Sequence, residues 1–367
     1  MRPIDLAYRT MFAELAERAL DASFGSQFDL EGRFVSVGVK GRRYWYFDTS
    51  REGDRTRSYV GPADDEAITR RVEDFRALKD DHRARRKLVS TLVREAGLAR
   101  PEAGTGDIVA ALSRAGLFRM RAVLVGTVAY QCLGGLLGVR LPAAALQTGD
   151  TDVAQFHSIS AAIEDSLPPL LDILREIDPS FRGVPRLGHA HHSTQFVSKA
   201  GYRVDFLTPN TGKAEYEAAP ATMPALGGAF AQPLRFLDFL IHEPERSVML
   251  HKAGVPVVVP APERFAVHKL IVASRRPGDA IGRAKADKDL VQAASLVEAL
   301  ALGRRMADLA TAWAEAWERG PSWREALKAG LSALGSERDA RVRRVLHEGL
   351  GELGYDPVAF GAGRRLP

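Results

Sequence analysis

Two aspartates stand two residues apart in the run Thr148-Gly149-Asp150-Thr151-Asp152-Val153-Ala154. Alternate side chains of a strand share a face, so Asp150 and Asp152 would project together. Carboxylates held that close repel one another unless something compensates. A divalent cation does so, and an oxygen-only donor set suits Mg2+ or Mn2+. A third acid, Asp205, interrupts the apolar run Val204-Asp205-Phe206-Leu207. An unpaired carboxylate inside such a strand is costly. If that strand neighbours the one carrying Asp150 and Asp152, all three acids surround a metal pair. The alternative is structural: the acids cap a loop or pair with Arg182, Arg186 or Arg203.

A second element of chemistry precedes the acids. The apolar strand Ala122-Val123-Leu124-Val125 runs into Gly126-Thr127 and then a helix reaching to about Leu137. Glycine allows close approach of the backbone to a phosphate. A helix amino terminus presents free N–H groups and positive potential to it. Thr127 adds a hydroxyl donor.

Other candidates have plainer readings. Gly188-His189-Ala190-His191-His192 matches no standard zinc spacing and has no cysteine nearby, which favours a polar loop near the site. Asp287 and Asp289 read as an exposed, salt-bridged helix face. Cys132 falls on the apolar side of the helix after Gly126, where it serves packing.

The elements that must position these groups follow from periodicity. Residues 5–23 form an amphipathic helix. A β meander follows, with strands around Phe34–Val39, Tyr44–Phe47 and Thr56–Val60, a turn at Lys40-Gly41, and a long charged helix from Asp64 to about Glu95. Gly97 to about Gly106 reads as a linker, and residues 107–115 as a short helix. Asp150–Phe156 reads as a strand. Residues 160–177 form a helix that Pro168 and Pro169 must bend or break. A hairpin turns at Ala200-Gly201, and residues 208–230 suggest a long surface excursion. Further strands are expected at 234–240, 247–251 and 255–259. Beyond Pro262 the pattern is almost wholly helical, at 263–275, 284–302, 304–318, 322–334 and 337–353.

Taken in order, Gly126-Thr127, Asp150-Thr151-Asp152 and Asp205 resemble the nucleotidyltransferase superfamily that includes DNA polymerase β. The form of the Asp-x-Asp run, with Phe265–Leu270 and Lys285-Ala286-Asp287-Lys288-Asp289, resembles its bacterial branches, among them a little-characterised nucleotidyltransferase family and the AbiEii-like toxins. The resemblance covers roughly residues 118–300. Thr127 stands where the commoner pattern has Gly or Ser, and the interval from Gly126 to Asp150 is longer than usual. The resemblance implies an α+β fold: a polymerase-β-type core of mixed sheet and helices, an N-terminal helix and meander module, and a C-terminal helical region. The expected domains are 1–100, 105–262 and 263–367. It also implies Asp150, Asp152 and Asp205 as catalytic metal ligands, and NTP as substrate. Lys269 is the candidate for gripping the β- and γ-phosphates, with Lys285 and Lys288 behind it. Lys269 as an ordinary helix-surface lysine is the plainer alternative.

The chain has 367 residues, 46% of them hydrophobic and 26% charged, with a formal net charge of +5. This is an ordinary globular composition. Its basic excess is compatible with a nucleotide or nucleic-acid partner. One cysteine excludes an internal disulfide and a cysteine zinc cluster. No apolar run approaches the length of a membrane span, and the first residues lack the order of a signal peptide, so a cytoplasmic location is expected. In the meander, Tyr44, Trp45 and Tyr46 are interleaved with Arg42, Arg43, Arg55 and Arg57. That mixture suits RNA or DNA through backbone contacts and base stacking, or else packing with a charged rim. The leading expectation is transfer of NMP from NTP to a hydroxyl acceptor, RNA or protein, in a possible toxin or defence setting. The alternatives are a non-catalytic nucleic-acid-binding or regulatory protein on the same fold, and a scaffold that assembles through the helical tail.

Overall fold

A computed structural model describes residues 1–22, 32–39, 42–51, 54–162, 166–184, 193–210 and 219–363. The expected Lys40-Gly41 turn and the 188–192 histidine run lie outside the described residues, as does Arg186. The N-terminal elements are β1 (Arg2–Pro3), α1 (Leu6–Ala22), β2 (Arg33–Val39), β3 (Arg42–Arg51), β4 (Asp54–Pro62) and α2 (Glu66–Arg94). β2, β3 and β4 form the expected antiparallel meander. Alternation divides the aromatic run of β3 between two faces. Phe47 turns towards α2, with ring centroids 4.8 Å from Phe34 and 5.7 Å from Phe75. Trp45 Nε1 donates to Thr69 Oγ1 on α2. Tyr44 and Tyr46 take the opposite face and are half-buried.

An ion network ties this module to the rest. Asp81 of α2 accepts from Arg18 of α1 and from Arg85, and the buried Arg85 donates onward to the Ala253 carbonyl. Arginine's fork suits such a site because it satisfies a carboxylate and a carbonyl at once.

The middle of the chain contains α3 (Ala103–Arg114), β5 (Val123–Val125), α4 (Gly126–Leu137), β6 (Val139–Arg140), β7 (Asp150–Ala154), α5 (His157–Ala162), α6 (Leu170–Ile177), β8 (Arg182–Gly183), β9 (Gln195–Val197), β10 (Arg203–Pro209), β11 (Ala221–Met223), β12 (Ala229–Leu234), α7 (Leu237–Leu240), β13 (Glu245–Met249) and β14 (Val255–Val259). α3 starts earlier than the sequence suggests and takes up Gly104 and Gly106. Gly106 is needed there because a Cβ would fall 2.3 Å from His251 Nδ1. The prolines do break the expected 160–177 helix, leaving α5 and α6. The run 234–240, expected as a strand, instead ends β12 and turns through Phe236 (φ 67°) into the short α7. Leu237, Phe239 and Leu240 are all buried, and periodicity alone cannot separate a buried strand from a buried helical turn.

Seven strands make one mixed sheet, in the order β11-β12-β10-β7-β5, with β9 beside the first half of β10 and β8 beside β9. One face of this sheet carries Val153, Val204, Phe206 and Phe196, which pack with α3 and α6 residues including Leu112, Ile173 and Leu174. The tail is helical, as expected: α8 (Pro262–Ala273), α9 (Ala280–Leu302), α10 (Met306–Glu318), α11 (Pro321–Ala333) and α12 (Ser336–Glu352). One hydrophobic cluster joins these helices to β5, α4 and β14. Among the described residues no helix is long and apolar enough to cross a membrane.

Candidate active site

β7 and β10 run parallel, and their register pairs Asp150 with Arg203 and Asp152 with Asp205. Buried Thr151 and Val153 alternate with the two acids of β7, and buried Val204 and Phe206 flank Asp205. The three carboxylates therefore stand on the half-open face of the sheet while their apolar neighbours fill the opposite one. The sequence expectation that neighbouring strands gather these acids is what the register shows.

β5 pairs antiparallel with β7, placing Val125 opposite Asp152. The chain then turns at Gly126, with φ 68°, and enters α4. A Cβ at Gly126 would lie 2.2 Å from Asp152 Oδ2, so only glycine lets the turn sit against the carboxylate. Thr127 is buried in the first turn of α4.

Burial, followed by the charges of Asp150 and Asp205, pushes the Asp152 carboxyl up to about 7. Burial also raises Asp205, with Asp150 adding to the effect, while a hydrogen bond from Gln195 opposes it. Thr148 Oγ1 donates to Asp150. Asp150 and Asp205 are thus each drawn to a local donor, and among the described residues no three His, Cys, Asp or Glu side chains form a ready cation cage. The donor chemistry nevertheless fits a hard divalent cation: three carboxylates on one face, mutually repelling, with one pushed towards its protonated form by burial and by its neighbours.

The lysines divide. Lys269 of α8 is buried rather than on the helix surface, and its Nζ lies 2.6 Å from Asp289 Oδ1. Arg276 Nε binds the other Asp289 oxygen at 2.9 Å. Burial alone would raise the Asp289 carboxyl, but these two cations outweigh it and hold it below the usual range. The expected exposed face around Asp287 and Asp289 is therefore corrected for Asp289, which is 3% exposed; Asp287 is exposed. The signal available in sequence was the spacing Asp289-Leu290, where an acid adjoins the start of an apolar stretch of α9. Lys288 is half-buried and donates to the Gln147 carbonyl, beside Asp150. Burial and the charge of Lys269 lower its affinity for a proton. Lys285 is exposed, within electrostatic reach of Asp205.

In the N-terminal module, Arg57 is held by both Asp48 oxygens and Arg43 by Ser36 Oγ. The side chains of Arg42 and Arg55 lie outside the described residues. Cys132 is buried, as expected, and burial pushes its thiol up to about 12.

A family model described as nucleotidyltransferase matches residues 103–318, from the first residue of α3 to the last of α10. No curated protein and no solved structure matches the chain. The matched segment exceeds half of the 367 residues and contains the glycine turn, the three acids and the Lys269–Asp289 pair. The chain belongs to this nucleotidyltransferase family.

Proposed function

We propose that the protein transfers NMP from an NTP to a hydroxyl acceptor and releases pyrophosphate. The observation that carries this reading is the in-register pair Asp152 and Asp205, with Asp150 on the same face and the Gly126 turn pressed against Asp152. Asp150, Asp152 and Asp205 would hold Mg2+ or Mn2+, which when bound offsets the carboxylate repulsion and the negative charge of the triphosphate.

The chain's own groups complete the chemistry. Gly126 and the first turn of α4 offer N–H groups to a phosphate. Lys269, fixed by Asp289, brings positive charge to the Asp152 side of the site, and Lys288 and Lys285 bring it to Asp150 and Asp205. The acceptor oxygen forms a bond to the α-phosphorus as the bond to the bridging oxygen breaks, and pyrophosphate departs with that oxygen. The hydroxyl proton passes to the Asp205 carboxylate and then to water. Its place on the site face, in register with Asp152, supports that role.

Acceptors of two classes suit this chemistry, RNA and protein. Contact with RNA or DNA through the N-terminal module would involve the face that carries Tyr46 and Arg57, where the guanidinium lies over the Tyr46 ring and is bound by Asp48. The test is label transfer from each α-phosphate-labelled NTP, with Mg2+ or Mn2+, to cellular RNA and protein. Label that vanishes in Asp150→Ala/Asp152→Ala supports transfer. Nucleic-acid binding with no NTP binding and no label would replace it with the non-catalytic reading.

A further inference from the structure

The site face continues past Asp205 across β9 and β8. Arg203 of β10 pairs with Val197 of β9, and Val197 pairs with Arg182 of β8. Direct register partners share a face. One rung of the sheet is therefore Asp150, Arg203, Val197 and Arg182, and the next is Asp152, Asp205 and Gln195. The opposite face at these strands is filled by buried Phe196, Val204 and Phe206, which leaves the rung on the open side. Arg203 and Arg182 are both exposed, and Val197 between them is half-buried.

Cations stand on both flanks of the acid cluster. On the helical flank, Lys269 and Arg276 are committed to Asp289, Lys288 donates to the Gln147 carbonyl, and Lys285 is exposed. On the strand flank, neither Arg182 nor Arg203 makes an ion pair among the described residues, although Arg203 stands directly beside Asp150 and acts on Asp205. Two guanidinium groups thus stand on one rung, two strands apart and about 10 Å between Cα positions, and among the described residues neither forms a salt bridge. Arg203 is two residues from Asp205, about 7 Å along the strand. A hydroxyl presented to Asp205 would have whatever lies behind it run over Arg203 and then Arg182.

We infer that this ledge holds the phosphates of a single-stranded RNA whose terminal hydroxyl is the acceptor, an inference that rests on the transfer reading. Arginine's fork matches a phosphate bidentately, and two such forks on one rung can hold two phosphates of one strand. Val197 offers an apolar surface for the ribose or base between them. The step is the one already written, with the RNA hydroxyl as nucleophile; it lengthens the strand by one nucleotide and releases pyrophosphate.

The experiment measures binding apart from turnover. Fluorescence anisotropy of a short fluorescein-labelled oligo(A) RNA with a free 3′ hydroxyl is followed with the full chain and no NTP. The proteins are wild type, Arg182→Ala, Arg203→Ala, the double variant, Arg203→Lys, and Arg338→Ala on α12 as a charge-matched control. Each ledge alanine should weaken binding about tenfold and reduce the salt slope by about 0.7, with larger losses in the double variant. Arg203→Lys should retain most of the salt slope, and Arg338→Ala should bind as wild type. NTP-induced thermal stabilisation should be unchanged in Arg182→Ala. Unaltered RNA affinity in the double variant, or no RNA binding by wild type, overturns the inference. Label passing from NTP to protein and not to RNA overturns it while leaving transfer intact. Ledge-dependent RNA binding without NTP binding supports the ledge and overturns the transfer reading alone.

Discussion

The carboxylate of Asp152 occupies the space that a side chain at residue 126 would need: a Cβ there would stand 2.2 Å from Oδ2. The left-handed turn between β5 and α4 and the middle acid of the site are one packed unit. Gly126→Ala should therefore act on function more than on folding. The backbone strain costs about 1–2 kcal/mol, and the Asp152 carboxylate must swing away from its present position. Nucleotide transfer should fall at least about a hundredfold, since small misplacements of catalytic groups are that costly. Circular dichroism should remain native. Wild-type activity in this variant would show that the close contact is incidental.

Asp152 carries an electrostatic burden in the free protein. Its folded carboxyl is raised, so the stability of the protonated form is present at low pH and lost as pH rises through about 7. Asp152→Asn should raise stability at neutral pH, without divalent cations, by on the order of 1–2 kcal/mol. Mg2+ should stabilise wild type and have little effect on the variant. Thermal melts with and without Mg2+ measure both. A variant less stable than wild type in cation-free buffer would contradict the repulsion argument.

Buried Lys269 and Asp289 are bound into one group with the half-buried Arg276, and breaking it differs from replacing it. Asp289→Ala leaves two cations short of their partner and should cost about 3–5 kcal/mol. Lys269→Met with Asp289→Leu should recover a substantial part of that stability while NTP affinity stays low. Denaturant unfolding and nucleotide titration separate the two effects. Full NTP binding by the double variant would reduce Lys269 to a structural residue.

His268, adjacent to Lys269, is buried, and burial, reinforced by the Lys269 charge, lowers its pKa from 6.5 to about 3. The unfolded imidazole gains a proton near 6.5 while the folded one stays neutral. Stability should therefore decline as pH falls from 6.5 towards 3, with a slope approaching about 1.4 kcal/mol per unit. Asp289, lowered in the fold, adds its own loss below its unfolded value of 3.8. His268→Gln should flatten the slope between pH 6.5 and 4. An unchanged slope in urea titrations across this range would assign the acid sensitivity elsewhere.

Arg85 predicts how the N-terminal module is attached. Asp81→Ala leaves this buried guanidinium with the Ala253 carbonyl alone and frees Arg18 from α2. Destabilisation of about 3 kcal/mol or more is expected, with protease cleavage appearing first in residues before α3. Cleavage unaltered in pattern would show that other contacts hold the module.

The sequence by itself determined the acids, the glycine turn and most of the elements. Asp150 and Asp152 share a face because strand periodicity leaves no other arrangement, and Gly126 was marked by its place between an apolar strand and a helix. The meander, β14 and all five tail helices were legible because their periodic patterns are long or their turn residues strong. Only tertiary structure decided the parallel register that sets Asp205 beside Asp152, since strand pairing across about fifty intervening residues is not a local property. It also decided that Asp289 is buried: a helix with weak amphipathic contrast does not announce which face meets the core. The rung of Arg203, Val197 and Arg182 exists only through three strands meeting in register. Local chemistry names the groups that can react, whereas long-range packing decides which of them meet.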